Sequence, residues 1–534
     1  MNEQRAQASL NPQDYLNFLM ETLQKISENP NPQLIYPFWA QNLDKLDDNF
    51  ARILDSWIRE KLTQVTPEQA YSIAFVIGNF SNLIKEFPLG DIATHKEIAI
   101  TGYEIALTIF TFEAFPQEWA GTNNNLAATY INRIRGEKAE NLEKAITACQ
   151  EALKVFTFDV FPQYWAMTQN NLANAYSNRI RGEKAENLEM AITAYHEALK
   201  VRTFDAFPQG WADTQNNLAA TYINRIRGEK ADNLEKAIAA CQEALKVFTF
   251  DAFPQYWAMT QNNLAIAYRN RIRGEKADNL EIAITAYEKA LKVLTFDAFP
   301  QEWAMTQNNL GEAYRNRIRG DKAENLEKAI AAYQEALKVF TFDAFPQGWA
   351  ATQNNLANAY SNRIRGDKAE NIKQAVMCYQ NALQGYETAG DLLNAAEMGL
   401  TLGKIKVDRG EWYRGLAYLE KSLKIYRQFD DLKSRADTIY QIAHTHHLIG
   451  NHEKASIYYR DALRFYEYLK HDRGVAFCQA SLGRLMLQIG FVEKAEELLK
   501  KATFIFKELN NEQEIAKIAE VLNCLAKIKE KQAV

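Results

Sequence analysis

The chain has 534 residues, of which 47% are hydrophobic and 12% aromatic, so it carries enough apolar surface to fold throughout and is not a disordered chain. Lys and Arg number 62 against 67 Asp and Glu, a formal charge of −5. No basic excess is present to neutralise a phosphate backbone, and nucleic acid is not an expected partner.

Residues 1 to 11 are polar with no apolar leader, and no run of 18 apolar residues occurs anywhere, which predicts a cytoplasmic protein with no membrane association. Cys149, Cys241, Cys378, Cys478 and Cys524 are far apart and form no C-x-x-C pair. They read as small buried hydrophobes in a reducing compartment. Residues 12 to 64 read as about two helices covering one end of a repeat array.

The array is marked by tryptophan and proline. Trp119, Trp165, Trp211, Trp257, Trp303 and Trp349 recur every 46 residues, as do Pro116, Pro162, Pro208, Pro254, Pro300 and Pro346. In the second copy, Pro162 suits a first helical position and the pattern predicts a helix A over 162 to 181, stopped by Gly182. Asn187 then reads as the N-cap of a helix B over 188 to about 203, ended by Phe207-Pro208. A degenerate leading repeat spans about 67 to 112. After residue 390 the period becomes 40, marked by Gly410, Gly450 and Gly490, and implies three more repeats and a closing, solvent-facing helix over 512 to 531. The expected organisation is a cap (1–66), an array of 46-residue repeats (67–390), an array of 40-residue repeats (391–511) and a capping helix (512–534).

Leu172, Ala173, Tyr176, Ala191, Tyr195, Ala198 and Pro208 fall on the positions L-G-x2-Y…A-x3-F…P, and on these residues the chain resembles the tetratricopeptide repeat (TPR) family. The resemblance implies an all-α solenoid, a right-handed superhelix of stacked antiparallel helix pairs. Two six-residue extensions convert the usual 34 into 46. Over roughly 67 to 390 the repeat also resembles the TPR arrays of cyanobacterial proteins that precede a caspase-like CHAT protease domain. Residues 391 to 509 read as further repeats rather than a protease, so no proteolysis is carried over.

On a helical wheel Trp165, Leu172, Tyr176 and Ile180 share an apolar stripe expected to be core. The polar sector holds Met167, Asn171, Asn174 and Asn178. Two positions are identical in all copies and form expected peptide-binding ladders: Asn125, Asn171, Asn217, Asn263, Asn309 and Asn355, and Asn132, Asn178, Asn224, Asn270, Asn316 and Asn362. A carboxamide offers donors and an acceptor, which suits main-chain recognition. The first ladder is similar in position to the asparagine ladder of O-GlcNAc transferase. The neighbouring variable positions, Met167, Asn174, Asp213, Met259, Ile266, Met305, Glu312 and Asn358, are the expected specificity residues. Six rungs at helix-packing spacing would hold about 15 to 20 extended residues. The competing reading is that stacked asparagines merely bond from repeat to repeat.

The Arg pair of each Asn-Arg-Ile-Arg-Gly, such as Arg179 and Arg181, reads as compensation of a helix C-terminus. The Glu-Lys-Ala-Glu-Asn loops read as solvated charge, and Phe158 and Phe161 as plugs between helices. His444, His446, His447 and His452 cluster without a metal-ligand spacing. No catalytic residues, cofactor or metal are expected. The expected function is that of a non-enzymatic scaffold holding an extended protein or peptide partner in a groove. The alternative is a regulatory sensor acting on a separately encoded effector such as a CHAT-type protease or a signalling NTPase.

Overall fold

A computed structural model describes residues 11 to 532; the polar first ten residues lie outside them. The described residues form twenty-four α-helices and one 3-10 turn, with no strand.

The helix pair of the second copy shows how the sequence builds the unit. Pro162 opens a helix over Pro162–Asn178, where its missing N–H costs no hydrogen bond, and Trp165 N donates to Phe161 O at 2.9 Å. The helix ends three residues earlier than expected, because Arg179 turns to ψ 131 and leaves the helical region. The loop then returns through Gly182 at φ 76, a conformation that favours glycine. Asn187 is not the N-cap. It lies 2% exposed inside the first turn of the next helix, and its Nδ2 donates to Arg181 O at 2.9 Å, folding the loop onto that helix. Helix B runs over Lys184–Leu199 with Glu183 as N-cap, about four residues upstream of the expected span.

Packing follows from residue size. Ala166, Ala173 and Ala175 on helix A and Ala191 and Ala198 on helix B are all buried, so the two backbones approach closely around Leu172, Leu188 and Tyr195. Trp165 and Tyr176 are part-buried in the expected stripe. Ile180 is not core: it sits in the loop, 60% exposed, because the helix has already ended.

The chain divides into two compact units, Met1–Val293 and Leu294–Val534. In the first, three helices rather than two precede the array, Pro12–Glu28, Pro32–Ala40 and Asp48–Leu62. Pro32 starts a new helix after a short turn, and the 3-10 turn Leu43–Lys45 leads to Asp47, which caps the third helix by accepting from Asn49 N and Phe50 N, which is why the expected pair divides further. Their Trp39 and Phe50 close on Phe80 of the leading repeat, at 5.8 and 6.0 Å between ring centroids. The leading pair Pro67–Ile84 and Ile92–Ala106 and the first four copies come next. The second unit holds the fifth and sixth copies and then three helix pairs, Leu392–Asp408 with Trp412–Tyr426, Leu432–Ile449 with His452–Tyr468, and Asp472–Gln488 with Val492–Glu508. The closing helix, Glu512–Gln532, is not wholly solvent-facing, since Ile518 and Leu525 are buried against the last pair.

Within each unit the helices lie in two layers. A helices of successive repeats pack on one another, as Pro116–Ile131 does on Pro162–Asn178 and Pro208–Asn224 on Pro254–Asn270, whereas packing of B on B is weaker. The A helices therefore form the more closely packed layer of each unit.

Candidate peptide-binding site

All six asparagines of the first ladder are part-buried, and most of them pair with a neighbouring repeat. Asn125 Nδ2 donates to Asn82 Oδ1 at 3.0 Å, Asn171 to Asn124 Oδ1 at 3.0 Å, Asn263 to Asn216 Oδ1 at 3.0 Å, and Asn355 to Asn308 Oδ1 at 3.1 Å. Each bond spends one of the two N–H groups and leaves the carboxamide oxygen free to accept. The acceptors Asn124 and Asn216 belong to a further series that sequence reasoning passed over: Asn124, Asn170, Asn216 and Asn262 are buried at 1 to 5% exposure. The signal was present as an Asn-Asn pair in every copy.

The second ladder, Asn132, Asn178, Asn224, Asn270, Asn316 and Asn362, is exposed at the end of each A helix. Asn132, Asn178, Asn224 and Asn362 each donate from Nδ2 to a carbonyl one turn back, at 3.1, 2.9, 3.0 and 2.7 Å, and so close their own helix end. The variable positions divide. Met167 is part-buried, and Met259 and Met305 are 38% and 46% exposed. Asn174 and Asn358 accept from Tyr195 and Tyr379 hydroxyls at 2.6 and 2.8 Å, which ties them to helix B. Ile266 is part-buried against the core, and Glu312 and Asp213 are part-buried.

The Arg pair does not compensate a helix end; it joins repeats. Arg179 donates from Nε and Nη2 to Glu143 Oε1 and Oε2, both at 2.8 Å, a two-bond fork across 36 residues. The same fork links Arg133 to Glu97, Arg225 to Glu189, Arg271 to Glu235 and Arg363 to Glu327. The hydrogen bonds from Arg179, Arg225, Arg271 and Arg363 hold Glu143, Glu189, Glu235 and Glu327 below the ordinary carboxylate range. The second Arg reaches back as well, Arg227 to Glu186 at 2.6 Å and Arg273 to Asp232 at 2.5 Å, so the acidic residues of these loops are not merely solvated. The free carbonyls at the end of helix A are met instead by lysine: Lys184 Nζ donates to Ser177 O at 2.8 Å, and Lys322 to Arg315 O at 2.6 Å.

Tetratricopeptide repeat family models match residues 119–159, 165–205, 211–251, 303–343, 349–387 and 392–467, more than half of the chain. The chain belongs to the tetratricopeptide repeat family. The family's repeats form protein-interaction scaffolds, and that is the general class of this chain. No curated protein matches it. Among solved structures, it is similar to the apo form of RapI, with 13% identity over 73% of this chain and 98% of that one and a TM-score of 0.46. It is also similar to a human IFIT1 dimer with m7Gppp-AAAA, with 14% identity, 90% and 95% coverage and a TM-score of 0.43. Yeast Tom70 matches with 12% identity, 86% and 96% coverage and a TM-score of 0.34.

Other sequence features take structural places in this tetratricopeptide array. Phe158 is not a plug; it is 47% exposed and lies edge-on over Trp165 at 5.1 Å, while the plug is Phe156 at 2% exposure. Cys149, Cys241, Cys378 and Cys478 are buried, and Cys524, on the closing helix, is exposed. Burial pushes the Cys149 and Cys241 thiols up to about 12. His447 Nε2 lies 2.6 Å from Gln488 Oε1, His444 Nδ1 lies 3.5 Å from the Tyr459 hydroxyl, and His446 stacks on Tyr458 at 5.7 Å. Burial holds His444 and His447 below the ordinary value of 6.5. Among the described residues no group of three or more His, Cys, Asp or Glu is placed to hold a metal ion, and no helix is long and apolar enough to cross a membrane.

Proposed function

We propose that the concave face of each unit holds an extended segment of a partner protein, gripped through its main chain by the first asparagine ladder. The observation that carries this reading is the spare hydrogen-bonding capacity of a part-buried carboxamide row on the A-helix layer, repeated every 46 residues. Repeat-to-repeat pairing supports it as well, because a carboxamide already anchored at one N–H presents its remaining atoms in a set orientation and loses little freedom on binding. The second ladder contributes less, its N–H groups being turned onto its own helix ends. Exposed Met259 and Met305 offer adaptable apolar contacts beside the ladder, which suits a specificity role.

The scaffold reading is favoured over the sensor reading by the region where the repeat period changes. There the B helix of the sixth copy runs unbroken over Lys368–Thr388, and Gly385 lets it lie close against Pro346, Trp349 and Ala350. A packed helix of this length is a stiff element rather than a joint.

The test is a combined Asn125→Ala, Asn171→Ala and Asn263→Ala variant, measured against peptides recovered from a random displayed library by the unaltered protein. Helical circular dichroism is expected to persist while peptide affinity falls by about tenfold or more. Unchanged affinity in a folded variant overturns the reading.

A further inference from the structure

The repeat departs from itself at the junction of the second and third copies. The residue that plugs each junction is Phe110, Phe156, Phe248, Leu294 or Phe340, and in this series Arg202 stands alone. Phe156 and Phe248 are 2% and 0% exposed and stack on Tyr164 and Tyr256 at 4.9 and 5.0 Å. Opposite Arg202 the tyrosine is replaced by Gly210, and with both rings gone a cavity of about 480 Å³ opens, walled by Ala166, Met167, Val201 and Phe207.

The guanidinium enters this cavity part-buried and forms no ion pair among the described residues; Nη1 donates to Thr214 Oγ1 at 3.1 Å and, distantly, to Gly210 O at 3.4 Å. Thr214 Oγ1 lies 3.1 Å from Asn170 Oδ1, the acceptor which in the neighbouring copies receives the ladder asparagine. Asn217 makes no side-chain hydrogen bond within the described residues. Asp213, one turn before Asn217 on the same face, likewise has neither a hydrogen bond nor an ion pair, although Arg202 is near enough to offset the upward push that burial gives its carboxyl. Arg202 thus brings a cation without a carboxylate partner among the described residues to an apolar-walled cavity, with Asp213 and Asn217 on the neighbouring A helix.

We propose that this cavity is a specificity pocket for an acidic side chain of the bound peptide, with Arg202 receiving the carboxylate while Asn217 and Asp213 engage the adjoining backbone carbonyl and N–H groups. The pocket rests on the peptide-groove reading and adds to it a defined register, because an Arg at only one of the repeated junctions marks a single place along the groove. The planar guanidinium has unused donors suited to a carboxylate, and Met167 and Phe207 give the cavity apolar walls beside it.

The experiment displays a random segment of about a dozen residues between carrier sequences, so that no free terminus is present, and selects it in parallel on the full-length protein and on Arg202→Phe. The substitution restores the residue of the neighbouring copies and so preserves folding; Arg202→Gln, which keeps a donor for Thr214, is the second variant. The unaltered protein is expected to recover peptides with Asp or Glu enriched at one position, and both variants to recover peptides without it. Changing that acidic residue to its amide is expected to weaken binding to the unaltered protein about tenfold and binding to Arg202→Phe less than about twofold. Peptides recovered with no acidic position, or an acidic position that persists in the variants, overturn the pocket and leave the groove standing. Recovery of no peptides by any of the three proteins overturns the groove itself, and the pocket with it.

Discussion

At the scale of single residues, the interactions that join one repeat to the next are polar as well as apolar. Arg179 and Glu143 form a two-bond fork with only about a quarter of each side chain exposed, a geometry in which an ion pair is oriented and partly shielded rather than loosely solvated. Glu143→Gln removes the charge and keeps the shape, and is expected to cost ~1 kcal/mol, read as a lower midpoint in urea unfolding. An unchanged midpoint would assign the fork no part in stacking. Its existence was only half legible. The arginines recur visibly in Asn-Arg-Ile-Arg-Gly, but their partners lie 36 residues back on another helix, and nothing local announces a contact made by stacking. The loop lysines were misread for the same reason: Lys184 closes the end of helix A across a loop that the pattern presents as plain charge.

At the scale of helices, apolar periodicity and proline placed the helices of the array, whereas their ends were set by loop hydrogen bonds. Pro162 located the start of helix A correctly, but Gly182 did not mark its end, because the backbone leaves the helix at Arg179 and the glycine serves the loop. In the 40-residue repeats, close approach replaces the aromatic plug. A Cβ on Gly415 would lie 2.6 Å from Val407 Cγ2 and 3.0 Å from Gly403 O, so helices Leu392–Asp408 and Trp412–Tyr426 nearly touch there. Gly415→Ala is expected to destabilise the protein by about 1–3 kcal/mol through overpacking against backbone that cannot yield. Limited proteolysis should then cut first within residues 392 to 426; a variant as resistant as the unaltered protein would contradict this packing.

At the scale of the whole molecule, the ion-pair forks predict how stability varies with pH. Glu143, Glu189, Glu235 and Glu327 are held below their ordinary value of 4.5, so the unfolded chain takes up protons first. Their stabilisation is complete above about pH 4.5 and is lost as pH falls from there through the folded values. A further loss begins near pH 6.5, where burial holds His444 and His447 below the ordinary histidine value and the unfolded chain again binds protons first. Thermal midpoints measured across this range should fall in those two stages; a midpoint rising toward acid would contradict both. The same pairing bears on nucleic acid. Arg133, Arg179, Arg225, Arg271 and Arg363 are each engaged with a glutamate, and a net charge of −5 leaves little to meet phosphates. Single-stranded RNA is therefore expected to be released at near-physiological salt, and retention there would place a nucleic-acid site on the array.

The amino-acid sequence alone determined that the protein is a helical repeat and where the A helix of each 46-residue copy begins. Those properties follow from local periodicity, proline and residue size, and they recur at fixed spacing. Tertiary structure decided which asparagines pair with a neighbouring repeat and which keep free atoms, where the arginines find their carboxylates, and that Arg202 opens a cavity where a phenyl ring stands elsewhere. These depend on distances between helices that are far apart in sequence, and a one-dimensional pattern carries no such distances.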